Sequence, residues 1–273
     1  MAPDSNATLR SLLQRKFEHL GIDYSQPGFY DDPNFVREEQ RDSRMLETYA
    51  QWVIVRERTA EYDGHVRKVM PRLADLIAAR LDRHQWFGGC VAVTGMVTRF
   101  LEHMGVWNAI MKGSVSVHIG GRSRHFAIVD EIEGPNIETG HFWLIVPPYD
   151  VVDLTLHHQR WRHGDSKFQI AAPKIVLAEN AETVQTTAQD VIAPAMLSGD
   201  PNQHHRYLPD QRRIDAIFPG RKVQINNVAM RYVPSGATAP DGPMHTVNLH
   251  ARQGVPAIQI WREDVVPAFE LVE

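Results

Sequence analysis

Trp86-Phe87-Gly88-Gly89-Cys90-Val91-Ala92-Val93 holds the single cysteine of the chain, at the point where a glycine pair gives way to an apolar segment of helical period. From Cys90 to Met104 that segment is apolar almost all round (Val91, Val93, Met96, Val97, Phe100, Leu101), and Gly105 closes it. A helix with so few charges is buried inside its domain, so the thiol is expected at the start of a core helix. Beyond it the pattern turns to strands. Trp107 to Ile119 and Arg122 to Ile132 read as two strands joined at Gly120-Gly121, a dipeptide suited to a tight hairpin turn. Gly134-Pro135-Asn136 reads as a loop, and His141 to Val146 and Val151 to Thr155 as two more strands.

A thiol attacks as the thiolate, and three features around Cys90 favour that anion. The unpaired N–H groups and dipole of a helix N-terminus attract negative charge. A His such as His141 supplies an imidazolium partner. The glycine pair lets backbone and substrate approach the sulfur, and N–H groups near Cys90 are candidate oxyanion donors worth about 3–4 kcal/mol each in a preorganised site. Strand arithmetic supplies a third member. With Pro147-Pro148-Tyr149 as a three-residue connection, Val146 faces Asp150, Leu144 faces Val152 and Trp143 faces Asp153. Asp153 is then diagonal to His141 on one face, about 7 Å away. A connection one residue shorter or longer turns Asp153 to the opposite face, and Asp150 shares His141's face only in those registers. Cys90, His141 and Asp153 therefore read as nucleophile, base and orienter of a thiol acyl-transfer enzyme, with Trp86, Gly89 and Trp143 as residues expected to contact substrate.

Each residue also has a structural reading: Cys90 as a small buried hydrophobe, His141 as a capped strand residue, Trp143 as core, Asp153 as an acceptor for turn amides. His125, in Arg124-His125-Phe126-Ala127-Ile128-Val129, opens an apolar strand too and is the rival base.

Gly-Gly-Cys opening a buried helix, the exit Met104-Gly105-Val106, the strand His141-Phe142-Trp143 and the strand Val152-Asp153-Leu154-Thr155 together resemble the core of the transglutaminase-like superfamily. The resemblance spans roughly 86–155. It implies a papain-like α+β core, a buried helix carrying the cysteine packed on an antiparallel sheet, with Cys90, His141 and Asp153 in the roles given above. Members include cross-linking acyltransferases, deamidases, proteases and amidases, and some that have lost catalysis. Val91 stands where many members carry an aromatic residue, and the His-to-Asp loop is short. A weaker resemblance, through His125, is to the arylamine N-acetyltransferases, although their Asp-x-Gly-x-Gly strand is absent. A non-catalytic binding module on the same core is the alternative from another class.

The flanks are read more coarsely. Residues 1–85 read as a helical N-terminal subdomain: Leu9, Leu12, Leu13, Phe17 and Leu20 form one helix, Phe35 to Glu61 a second broken at Asp63-Gly64, and Val69 to Leu81 a third with Pro71 near its first turn or at a kink. Residues 86–172 form the catalytic core. Residues 173–273 read as a β-rich extension, with strands at Lys174 to Leu177, Arg221 to Val233, His245 to Ala251 and Pro256 to Trp261, and a helix at Ala181 to Leu197.

The 273 residues, 43% hydrophobic and 23% charged with a formal charge of −4, suit a soluble globular protein and provide no basic stripe for nucleic acid. No apolar run is long enough to span a membrane, and the start Met1-Ala2-Pro3-Asp4 shows no secretory signal. One cysteine excludes an internal disulfide, so the cytoplasm is the expected address, with secretion lacking a cleavable signal left open. The expected partner is a protein, peptide or small amide or ester substrate. Fourteen histidines, among them His157-His158, His163 and His204-His205, show no metal-ligand spacing, and no phosphate-binding glycine motif is present, so neither metal nor cofactor is expected.

Overall fold

A computed structural model of the chain describes residues 5–130, 139–162, 164–247 and 255–272. The fold is α+β, built on an eight-stranded antiparallel sheet. Five helices come first: α1 (Ser5–Leu20), α2 (Pro33–Arg41), α3 (Met45–Val55), α4 (Ala60–His84) and α5 (Cys90–His103). The strands β1 (Ala109–Ile119), β2 (Arg122–Phe126), β3 (His141–Val146) and β4 (Tyr149–Asp153) follow. After them come α6 (Ser166–Ala171), β5 (Val176–Glu179), β6 (Glu182–Val184), α7 (Ala188–Val191), α8 (His204–Tyr207), α9 (Gln211–Ile217), β7 (Gly220–Ile225) and β8 (Val228–Thr238). The described chain ends in α10 (Ala257–Ile260), a π-helical turn Trp261–Val265 and α11 (Val266–Phe269).

The strands lie in the order β5-β4-β3-β1-β8-β7-β6. β1 is the organising strand. One edge pairs along its length with β8; the other pairs first with β3 (Gly113 opposite His141) and then with β2 (Val115 opposite Phe126). The sheet thus draws its centre from two distant parts of the chain, within 86–172 and within 173–273.

Helices cover both faces. Phe17 of α1, Phe29 of the turn between α1 and α2, and Tyr49 and Trp52 of α3 pack with Val115, Trp143 and Tyr232 on one face. On the other, Leu73 and Ile77 of α4, Met96 and Phe100 of α5, and Trp261 near the C-terminus pack with Ile110, Leu144 and Val152. A central strand covered on both faces is buried at nearly every position, and β1 is buried from Ala109 to Val117 except at Lys112, its serines included.

Several flanking expectations are corrected. The helix expected from Phe35 to Glu61 is two helices: the Asp42 side chain accepts the Arg44 N–H at 3.1 Å and stops α2, a local bond that competes with helix. α4 is capped by Thr59, so Asp63 and Gly64 lie inside its first turns and break nothing, and Pro71 sits well within it. The helix expected at Ala181 to Leu197 is instead β6, recruited by β7, followed by the short α7 with its Thr187–Asp190 capping box. Pro256 to Trp261, expected as a strand, is helical. Ala257, Ile260, Trp261 and Val265 are buried at helical spacing, and Trp261 meets Phe100 at 5.4 Å. Of the strand expected from His245 to Ala251, His245 to Val247 are not a strand and the rest lies outside the described residues, as do Ile132, Gly134-Pro135-Asn136 and His163. The Gly120-Gly121 hairpin forms as read, both glycines at positive φ.

Candidate active site

Cys90 is the first residue of α5, with Gly89 as N-cap. It is 7% exposed and lies on the wall of a cleft of about 1520 Å³, together with Trp86, Gly88, Phe126, Trp161 and Pro240. The first N–H groups of a helix have no partner inside it, so Cys90, Val91 and Ala92, all on that wall, present unpaired donors beside the sulfur. No other described segment brings a thiol to a helix start.

Behind the cysteine, His141 and Asp153 form a fully buried pair, His141 Nε2 to Asp153 Oδ2 at 2.7 Å. The strand pairing that permits this differs in detail from the expected one. Leu144 does face Val152, but Tyr149 already pairs with Val146, so the connection is Pro147-Pro148 and a bulge takes up the extra residue. Asp153 still arrives on His141's side.

Asp153 is the best-partnered group in the site. Its Oδ1 accepts from Thr155 N (2.8 Å), Thr155 Oγ1 (3.1 Å) and Leu156 N (3.1 Å). Its Oδ2 accepts from His141 and from Tyr232 Oη at 3.0 Å. Burial pushes the carboxyl up, but the His141 charge and these donors outweigh it and hold Asp153 below the usual carboxylate range. Burial likewise disfavours the His141 cation. The Asp153 charge and hydrogen bond oppose it, Cys90 adds a smaller push in the same direction, and the imidazole is raised to about 10. The other ring nitrogen, Nδ1, is buried and has no hydrogen-bond partner. Imidazole ring, cysteine and carboxylate are therefore one interacting set, with Nε2 committed to Asp153.

Trp143 is buried in the core rather than on the cleft wall. Its ring lies nearly parallel to His141, centroids 6.4 Å apart at 19°, and edge-on to Tyr232 at 5.3 Å. It packs against His141 and is not on the wall of the cleft that holds Cys90. A second cavity of about 230 Å³, lined by Trp143, Tyr232 and Pro147, lies on that side and does not reach Cys90. Trp86 and Gly89 do line the cleft.

The rivals have other partners. His125 lines the cleft, but its Nε2 pairs with Ser123 Oγ at 3.1 Å and its ring stands edge-on to His118. Asp150 accepts from Ala181 N at 2.9 Å and lies 3.4 Å from Arg221, tying β4 to its neighbours. His157 pairs with Ala172 O, and His158 with Asp82. Among the described residues no group of three His, Cys, Asp or Glu side chains is placed to hold a metal ion, and no helix is long and apolar enough to cross a membrane.

Thr155 and Tyr232 were missed as site residues. The first was legible: Asp-x-Thr is a local pattern in which the carboxylate caps the following turn. Tyr232 lies 79 residues from Asp153 and carried no sequence signal. No protein-family model, curated protein or solved structure matches the chain.

Proposed function

We propose that the chain is a thiol-dependent acyl-transfer enzyme with Cys90 as nucleophile. Within that class it is of transglutaminase-like type, acting as amidase, protease, deamidase or transglutaminase. The observation that carries this is the His141 ring, buried, bonded to Asp153 through Nε2 and coupled to the one cysteine, which stands at a helix start on a cleft wall.

The His141 basicity near 10 refines the chemistry. Raised by the Asp153 charge, the ring carries its proton at neutral pH, so its first role is that of an acid. The sulfur attacks the acyl carbonyl, and the N–H groups at the start of α5 receive the oxyanion. The intermediate collapses as His141 gives its proton to the departing amine, leaving an acyl-enzyme and a neutral imidazole. That imidazole then takes a proton from water or an amine, which attacks and releases the acyl group. Asp153 stays ionised and holds the ring throughout. The cleft exceeds the roughly 300–1,000 Å³ of sites for small ligands, which favours an extended polypeptide as substrate.

The burial of Cys90 favours one other reading, a binding module with a merely packed thiol. Alkylation separates the two. With one cysteine, iodoacetamide labels one site. The enzyme reading expects rapid labelling well below the ordinary thiol range of about 8.5, and loss of that low-pH reactivity in His141→Ala. Labelling that follows an ordinary thiol, or that occurs only after unfolding, would end the enzyme reading.

A further inference from the structure

Resting on Cys90 as the acyl-transfer nucleophile, we infer that Arg160 selects the occupant of the cleft by binding a carboxylate close to the bond attacked. Among the described residues three arginines line the cleft, and two are already neutralised. Arg124 is paired with Asp165, and Arg162 with Asp130 at 3.0 Å. Arg160 is exposed and has no hydrogen-bond or ion-pair partner among the described residues.

Its position is built rather than incidental. The side chain lies across Gly88, two residues before the thiol, filling the space a Cβ would need: that atom would sit 2.6 Å from Arg160 Cγ and 2.8 Å from Cδ. Gly88 has φ +73°, in the region that favours glycine, so one residue type serves both the turn and the close approach of the arginine. The platform is pinned, since Gly88 N–H donates to His158 O at 2.7 Å and His158 is held by Asp82 at 3.0 Å. Arg160 itself follows the turn that Asp153 caps. His158 N–H returns to Thr155 O, and the buried Gln159 reaches the same carbonyl. The arginine is thus mounted on the same turn as the His–Asp pair.

A guanidinium with no partner among the described residues and the N–H groups at the start of α5 make this end of the cleft electropositive. The far end is the reverse. Pro240 packs on Gly95, five residues along α5 from Cys90, and beside it Asp241 is exposed with no partner among the described residues. An occupant is oriented by this polarity, its carboxylate toward Gly88. Guanidinium and carboxylate match in shape as well as charge, which gives direction to the contact.

The test uses the full chain and two reagents, iodoacetyl-glycine and iodoacetyl-glycinamide, which differ only in a terminal carboxylate against a carboxamide. Wild type should label faster with the carboxylate reagent, by about threefold to tenfold relative to the same ratio for a free thiol, and less so at high salt. Arg160→Gln should abolish that preference, read as the ratio of the two reagents' rates within the variant, and Arg160→Lys should keep part of it. An unchanged ratio in Arg160→Gln, with rapid labelling by both reagents, overturns the role of Arg160 and leaves the thiol reading standing. Slow labelling by both reagents in wild type overturns the thiol reading, and this inference with it.

Discussion

Asp153 divides its two oxygens between two tasks. Oδ1 caps the turn that follows β4, and Oδ2 holds His141 and Tyr232. An ionised carboxylate buried without such donors would cost several kcal/mol, so the donors allow a charge to sit there at all. Tyr232 is the one that comes from a remote strand, and it steers Oδ2 toward the imidazole. Tyr232→Phe is therefore expected to lower stability by about 1–2 kcal/mol in urea unfolding, because three donors and His141 remain. The same variant should slow iodoacetamide labelling of Cys90 severalfold below neutral pH; an unchanged low-pH rate would show that Tyr232 only packs. Cys90, His141 and Asp153 were legible because each stands at a punctuated spot: after a glycine pair, after Gly140, before an Asp-capped turn. Trp143 was legible as core and as a shield for the His–Asp pair, but not the side it takes, since a strand residue's neighbours depend on which strands flank it.

At the scale of elements, the site depends on β1 having an edge shared by two strands. Gly113 and Gly140 let the chain enter β3 close enough for His141 to pair there. Gly140 has φ +88°, and a Cβ on it would lie 2.6 Å from Gly113 O, which is backbone and does not yield. Gly140→Ala should cost about 2–3 kcal/mol or more, read as a lower urea midpoint, and should slow Cys90 labelling by displacing His141. Loss of stability without change in labelling would mean that the ring holds its place independently of the strand entry. The Gly120-Gly121 hairpin was readable because its turn chemistry is local. The segments 181–197 and 256–261 were misread because three- to five-residue elements take their conformation from what they pack against: β6 from the β7 edge, α10 from Phe100 and its neighbours.

For the whole molecule, the His141–Asp153–Tyr232 set links β3, β4 and β8, so its ionisation bears on global stability. His141 is raised from about 6.5 in an unfolded chain to about 10 when folded. Its contribution is complete below about pH 6.5 and is lost as pH rises through about 10. Asp153 is lowered, so its contribution is present above about pH 4 and is lost as pH falls through its folded value. The urea midpoint should therefore decline steadily from pH 7 to 10, and Asp153→Asn should flatten that decline; an equal decline in both proteins would assign it to other groups. The sequence by itself determined the apolar helix that opens on Cys90, the strands that carry His141 and Asp153, and the Gly-Gly turn, because periodicity and turn chemistry act over a few residues. Only the tertiary structure decided that β8 lies against β1, that Tyr232 reaches Asp153, that Trp143 backs the ring, and that Arg160 alone of the three cleft arginines has no partner among the described residues. Those are contacts between residues distant in sequence, set by how a sheet packed on both faces closes around its core.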